Sequence, residues 1–134
     1  MTAKAIRERF ERETGDRFTI HRVRVRDIPN FDTLDAGKLE ERYGRFSIGV
    51  FPDAARARRE GFFRTPRDPD EQGVGWEHVE EDERGNPAGW VATKLYGDVQ
   101  LQWFTDEREL DERWQLLDRV LRDLVGGRVS ERPA

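Results

Sequence analysis

Two runs of alternating side chains flank a Gly97-Asp98 pair, and this pattern constrains the fold more than any other part of the sequence. A period of two is typical of a half-buried β-strand, and glycine in the first central position of a two-residue turn is typical of a type II′ hairpin. The pattern predicts an antiparallel hairpin over residues 90–104 in which Tyr96 pairs with Val99. One face would carry the apolar set and a lysine: Trp90, Ala92, Lys94, Tyr96, Val99, Leu101 and Trp103. The opposite face would carry Thr93, Gln100 and Gln102.

The apolar residues after the hairpin recur at helical spacing, which predicts a long helix that covers the apolar face of the sheet. They are Leu110, Trp114, Leu116, Leu117, Val120, Leu121 and Leu124. Asp106 and Glu109 have the spacing of a capping box, with Asp in place of Ser or Thr, and predict where the helix begins. The glycine pair at 126–127 predicts where it ends. We therefore expect a single domain over residues 1–126 and a frayed tail over residues 127–134.

Shorter segments complete the predicted fold. Apolar spacing predicts a short helix at 3–13, a weak helix at 34–43 and a further short helix between Pro52 and Gly61. Alternation predicts strands at 17–27, ended by Pro29, at 45–51 and at 74–81. Together these elements predict an α+β two-layer sandwich. Its mostly antiparallel sheet of about five strands would be covered by the long C-terminal helix, with a short N-terminal helix beside it.

Composition and length narrow the class of protein. The chain has 134 residues, of which 39% are charged and 35% apolar, with a net charge of −4. This length suits one domain, and the near balance of charge argues against a uniformly basic nucleic-acid-binding protein. The sequence contains no cysteine, so disulfides and thiol chemistry are excluded. It also contains no run of roughly 18 apolar residues, and its first residues are too charged for a signal peptide, so we expect a cytoplasmic protein.

Arg22, Arg24 and Arg26 alternate along the first predicted strand, where neighbouring guanidinium groups would lie about 7 Å apart. Such a row could bind phosphates, which makes anion or nucleic-acid binding one interpretation. Glu77 and Glu81 alternate in the same way on another predicted strand. Cross-strand pairing between the arginines and these glutamates is therefore the other interpretation.

His21, His78 and Lys94 form the second candidate site, because the predicted strand phases place all three on the aromatic side of the sheet. A histidine or lysine in such a place could act as an acid, a base or a Schiff-base amine. These are the weak catalytic candidates of the sequence. The alternative is structural, because a strand histidine is commonly hydrogen-bonded in the core and a lysine can extend its ammonium group to water.

The third candidate site is the segment 61–73, which contains two prolines and no periodicity and is predicted to be a loop. Phe62 and Phe63 could anchor a partner protein, could form the lid of a pocket, or could hold the loop against the core. The expected partner-binding set comprises Phe62, Phe63, Arg64, Arg67, Asp68, Asp70 and Glu71.

The sequence contains no phosphate-binding loop, nucleophile elbow or zinc-protease motif, and two histidines without cysteine make a structural zinc site improbable. We therefore expect no metal and no cofactor. The leading hypothesis is a small non-enzymatic domain that binds another protein, with a homodimer compatible with it. The alternatives are a small-ligand or catalytic domain with a pocket between sheet and helix, and nucleic-acid binding through the arginine strand.

Overall fold

A computed structural model describes residues 2–25, 28–35, 37–60, 73–81, 83–85 and 87–130. Within these residues it has four α-helices: α1 (Ala3–Thr14), α2 (Glu40–Tyr43), α3 (Ala54–Glu60) and α4 (Glu112–Ser130). It has six strands: β1 (Thr19–Val25), β2 (Ile28–Asp35), β3 (Arg45–Val50), β4 (Gly75–Glu81), β5 (Pro87–Tyr96) and β6 (Val99–Thr105). A single 3-10 turn in the described part, Gly37–Leu39, precedes α2.

The strands form one antiparallel sheet in the order β1-β2-β3-β6-β5-β4, which confirms the α+β class. The hairpin is also confirmed, because Tyr96 pairs with Val99 and Lys94 pairs with Leu101. Since β6 also pairs with β3, the second strand of the hairpin lies inside the sheet. The first strand of the hairpin, β5, lies between β6 and β4.

Strand β2 is the one strand in the described sheet that was not among the five predicted from the sequence. The first predicted strand does end before Pro29, but Pro29 itself belongs to β2. The predicted helix at 34–43 begins too early, because Leu34 also belongs to β2. Pairing between β2 and β3 covers only residues 32–35 on the β2 side, so Pro29 sits where no hydrogen bond to β3 needs its missing N–H. Leu34 pairs with Ile48 and is buried in the core. The helical spacing is realised only in the short α2.

Helix α4 packs on the apolar face of the sheet, as predicted, and α1 packs on the same face. Ile6 and Phe10 of α1 and Leu117 of α4 are buried in the same core as the sheet residues. The indole rings of Trp103 in β6 and Trp114 in α4 lie 6.0 Å apart, which joins the centre of the sheet to the long helix.

Both predicted ends of the long helix are wrong. Asp111, and not Asp106, caps α4: its Oδ1 accepts hydrogen bonds from the backbone N–H groups of Arg113 at 2.8 Å and Trp114 at 3.4 Å. The helix also continues through the glycine pair 126–127 to Ser130, because glycine ends a helix only where the backbone leaves the helical region. The division into a domain and a tail stays a prediction.

The opposite face of the sheet is also buried at its centre. Thr93, Gln100 and Gln102 lie on this face, as predicted from the hairpin, and all three side chains are buried.

Among the helices in the described ranges, we find none that is long and apolar enough to cross a bilayer.

Candidate functional site

The structure separates the predicted set of His21, His78 and Lys94. His21 is on β1 and its side chain is 49% exposed, with Nε2 at 3.5 Å from a carboxylate oxygen of Asp35. Strand β1 and the strand of Lys94 are four strand spacings apart in the sheet, or about 19 Å. The side chain of His78 lies outside the described residues. The predicted joint pocket of His21 and Lys94 is therefore wrong.

The error about His21 has a physical cause. The sequence pattern placed His21, Val23 and Val25 on one face, but the pairing of β1 with β2 shifts between Val23 and Val25, so His21 does not share the face of Val25. Such an irregularity exchanges the two faces of a strand. Before it, the core residue is Ile20, which packs against the buried cluster, so His21 is on the other face.

Cross-strand pairing between the arginine row and the glutamate strand is also wrong. The arginines of β1 and Glu77 of β4 lie on the two edge strands of the sheet, five strand spacings or about 24 Å apart. The side chains of Arg22, Arg24 and Glu81, and all of Arg26, lie outside the described residues. So do Phe62, Phe63 and the rest of the predicted loop site up to residue 72, and these assignments stay predictions.

Lys94 lies in a buried polar cluster that the sequence prediction did not assemble. Its Nζ donates to Oδ1 of Asp118 on α4 at 2.7 Å, and the Tyr96 hydroxyl donates to the same oxygen at 2.6 Å. Nε of Arg122 lies 3.1 Å from Oδ2 of Asp118. The side chains of Asp118 and Lys94 are 9% and 15% exposed, so this is an ion pair in the wall of the core.

The surroundings of Tyr96 and Lys94 argue against acid–base or Schiff-base chemistry. Burial raises the pKa of Tyr96, and its hydrogen bond to Asp118 raises this pKa further, so the hydroxyl stays a donor. Nζ of Lys94 is held against Asp118 at 2.7 Å, whereas a Schiff-base amine has to attack a carbonyl carbon. The cluster is suited to binding.

A cavity of about 260 Å³, which we call the Lys94 cavity, opens beside this cluster between β5 and α4. Its lining consists of Lys94, Trp114, Gln115, Asp118 and Arg122. The predicted ligand pocket between sheet and helix, lined by His, Lys and Trp, stays a prediction, and this cavity has a lysine and a tryptophan in its wall. The tryptophan comes from the helix, and a histidine is not among its lining residues.

A larger groove of about 610 Å³ lies at the end of the sheet where β3 begins and β6 ends. Residues from α2, from the paired strand ends and from the connection between β6 and α4 line it. We call it the acidic groove, and its charged and aromatic lining residues are Glu40, Glu41, Arg45, Trp90, Phe104, Asp106, Glu107, Glu109, Asp111 and Arg113.

The two arginines of the acidic groove already have partners. Nε and an Nη of Arg113 donate to Oδ2 of Asp111 at 3.0 and 2.7 Å. Burial alone would raise the pKa of Asp111, but the hydrogen bonds and charge of Arg113 outweigh it and lower this pKa. The guanidinium of Arg45 stacks over the Phe104 ring at 5.7 Å.

Most of the carboxylates in the acidic groove have no such partner. Within the described part of the chain, five of them form no ion pair: Glu40, Glu41, Asp106, Glu107 and Glu109. Among the described residues, no three histidine, aspartate or glutamate side chains are grouped so that they could hold a metal ion. The negative charge is therefore distributed over the lining of the groove and is not concentrated at one point.

A guanidinium already lies against the aromatic residues beside the groove. Arg108 is 5.6 Å from the ring centre of Trp90 and 5.8 Å from that of Trp76. Cations are attracted to aromatic faces, so this pair of tryptophans is a surface that accepts guanidinium groups.

Sequence reasoning missed both sites for different reasons. The acidic groove is assembled from three separate segments, and no local spacing connects them. Asp118 had a usable signal: it is an acid beside Leu117 on the apolar stripe of the predicted helix, and Lys94 on the apolar face of the hairpin needs a counter-charge. Function has to be inferred from these sites, since no family model, curated protein or solved structure matches the chain.

Proposed function

We propose that the chain is a non-enzymatic protein-binding domain and that its acidic groove holds a basic segment of the partner. The observation that carries this proposal is a set of five carboxylates around one groove that form no ion pair with any other described residue. Like charges gathered at one place repel each other and lower stability, so their presence is better explained by a cationic partner than by folding.

The shape of the groove supports a peptide segment over a small cation. Its volume of about 610 Å³ is more than a single side chain needs, and its carboxylates come from two separate segments, α2 and the β6–α4 connection. A peptide with several Arg or Lys side chains can reach both at once. Electrostatic attraction of this kind increases association rates and selects the partner by charge.

The aromatic residues support arginine in particular. Trp90 and Phe104 line the groove, and each already has a guanidinium stacked on its ring, from Arg108 and Arg45. Planar guanidinium groups both stack on aromatic rings and form paired hydrogen bonds with carboxylates. An arginine-rich partner segment could use the two modes together.

Fluorescence anisotropy with a labelled peptide of alternating Arg and Ala tests this proposal. The double variant Glu107→Gln/Glu109→Gln removes two groove carboxylates, and we expect it to bind the peptide about threefold to tenfold more weakly, since exposed ion pairs contribute about 0.2–1 kcal/mol each. Its thermal stability should equal or slightly exceed that of the wild type, because repulsion is removed.

A matched control separates the groove from overall charge. Glu8→Gln/Glu83→Gln makes the same change in net charge at two exposed positions outside the groove, and it should bind the peptide like the wild type. The proposal is wrong if both double variants lose affinity equally. It is also wrong if a peptide of alternating Glu and Ala binds as well as the arginine peptide.

A further inference from the structure

The Lys94 cavity shares no lining residue with the acidic groove and has the opposite charge. Its wall contains two cations, Lys94 and Arg122, and one carboxylate, Asp118. The lining therefore has a net charge of one positive unit, and it lies in a concavity between a strand and a helix. Charges act more strongly there than on an open surface, because less water screens them.

The carboxylate of this cluster is already engaged. Oδ1 of Asp118 accepts hydrogen bonds from Lys94 and Tyr96, and Oδ2 contacts Nε of Arg122 at 3.1 Å. A carboxylate oxygen accepts about two hydrogen bonds, so Oδ1 has no capacity left. Asp118 therefore fixes the two cations in position and has little left to offer a cationic ligand.

The donors of the cluster are only partly engaged. An ammonium group has three N–H donors, and Lys94 uses one of them on Asp118 in the described part of the chain. Arg122 meets Asp118 through Nε, and its two terminal nitrogens have no hydrogen-bond partner among the described residues. Unused donors from an ammonium and a guanidinium in one wall are the chemistry that holds an oxyanion.

The fold itself does not require Arg122. Lys94 already neutralises Asp118, and Tyr96 supplies the second hydrogen bond to Oδ1. The Arg122 side chain is 60% exposed, and an exposed ion pair between residues four apart in a helix adds little stability. Its contribution is the charge that it places beside the cavity.

We infer that the Lys94 cavity binds the phosphate or carboxylate group of a small molecule, with Lys94 and Arg122 as the residues that hold the anion. Gln115 adds an amide donor to the same wall, and the buried Trp114 ring forms the apolar layer behind it. At about 260 Å³ the cavity suits one such group, in contrast to the larger acidic groove.

Two-dimensional NMR of the full chain tests the inference. The signals to follow are the Trp114 indole N–H and the Gln115 side-chain amide. Inorganic phosphate and acetate are titrated separately at low ionic strength, with sodium chloride at matched ionic strength as the reference. We expect a saturable shift with a dissociation constant of about 1 mM or tighter for at least one of the two anions. The anion that binds more tightly identifies the group that the ligand carries.

Arg122→Gln is the decisive variant, because this side chain is 60% exposed and its replacement should leave the fold intact. This variant should bind the anion at least about tenfold more weakly than the wild type. Arg119→Gln is the matched control: Arg119 lies three residues earlier on α4, lines neither cavity and contacts Glu13 at 3.9 Å, so it should titrate like the wild type. The inference fails if neither anion gives a saturable shift, or if Arg122→Gln binds as tightly as Arg119→Gln.

Discussion

Replacing Asp118 with Asn leaves the Lys94 ammonium in the wall of the core without its counter-charge. Removing one partner of a buried ion pair typically costs about 3–5 kcal/mol. The Lys94 side chain is 15% exposed and borders a cavity, so water can recover part of its solvation. The contact with Arg122 adds little, because that side chain is 60% exposed. We therefore expect Asp118→Asn to lower the free energy of unfolding by about 2–3 kcal/mol.

Equilibrium unfolding in urea, followed by tryptophan fluorescence and circular dichroism, measures this loss. The midpoint should fall while the denaturant slope stays constant, because the variant exposes the same surface on unfolding. In a thermal scan the same loss should lower the melting temperature by about 10 °C for a domain of this size.

A triple variant separates the buried charge from the general effect of changing the core. Lys94→Met, Tyr96→Phe and Asp118→Leu together remove both buried charges and the hydroxyl. Only Arg122 then loses a partner, and its side chain is 60% exposed, so water can solvate it. Its stability should lie within about 1 kcal/mol of the wild type, since apolar replacement of a whole buried ion pair is often neutral. The reasoning is refuted if Asp118→Asn unfolds within about 0.5 kcal/mol of the wild type. It is equally refuted if the triple variant is as unstable as the single one.

The remaining predictions concern the start of α4 and the two tyrosines. Asp111→Ala should lower the free energy of unfolding in urea by about 0.5–2 kcal/mol, because Asp111 caps α4. Asp106→Ala should leave this free energy almost unchanged, and equal losses in the two variants would contradict the cap. Burial raises the pKa of both Tyr43 and Tyr96 above the usual 10.0, so the stability that they contribute is complete below pH 10 and is lost as the pH rises. The tyrosinate absorbance of Tyr96 should therefore appear together with unfolding, and this buried residue should add about 1.4 kcal/mol per pH unit to the loss. Tyrosinate forming near pH 10 in a protein with native circular dichroism would contradict it.

The local elements could be predicted where the sequence pattern repeats over several residues. The hairpin around the Gly97-Asp98 turn and the apolar stripe of α4 are of this kind, because each depends on contacts between near neighbours in the chain. Prediction failed where one position breaks the repeat. The irregularity between Val23 and Val25 reversed the phase that had been assigned to His21.

The candidate sites depended on distant contacts, and prediction succeeded only in part. Lys94 was selected correctly as a polar residue on the apolar side of the hairpin, since an ammonium group there has to meet a counter-charge. Its partner Asp118 comes from α4, and only the packing of the helix on the sheet brings the two within 2.7 Å. The acidic groove required the positions of α2, the β3 and β6 ends and the β6–α4 connection together.

The sequence by itself therefore determined the class of the fold, the faces of the hairpin and the helix that covers it. Tertiary structure decided which residues share a site: it placed the arginine and glutamate strands at opposite edges of the sheet, joined Lys94 to Asp118, and gathered carboxylates from separate segments. The physical reason is that side-chain period depends on the local backbone, whereas strand order and helix docking depend on burying the apolar surface of the whole chain at once.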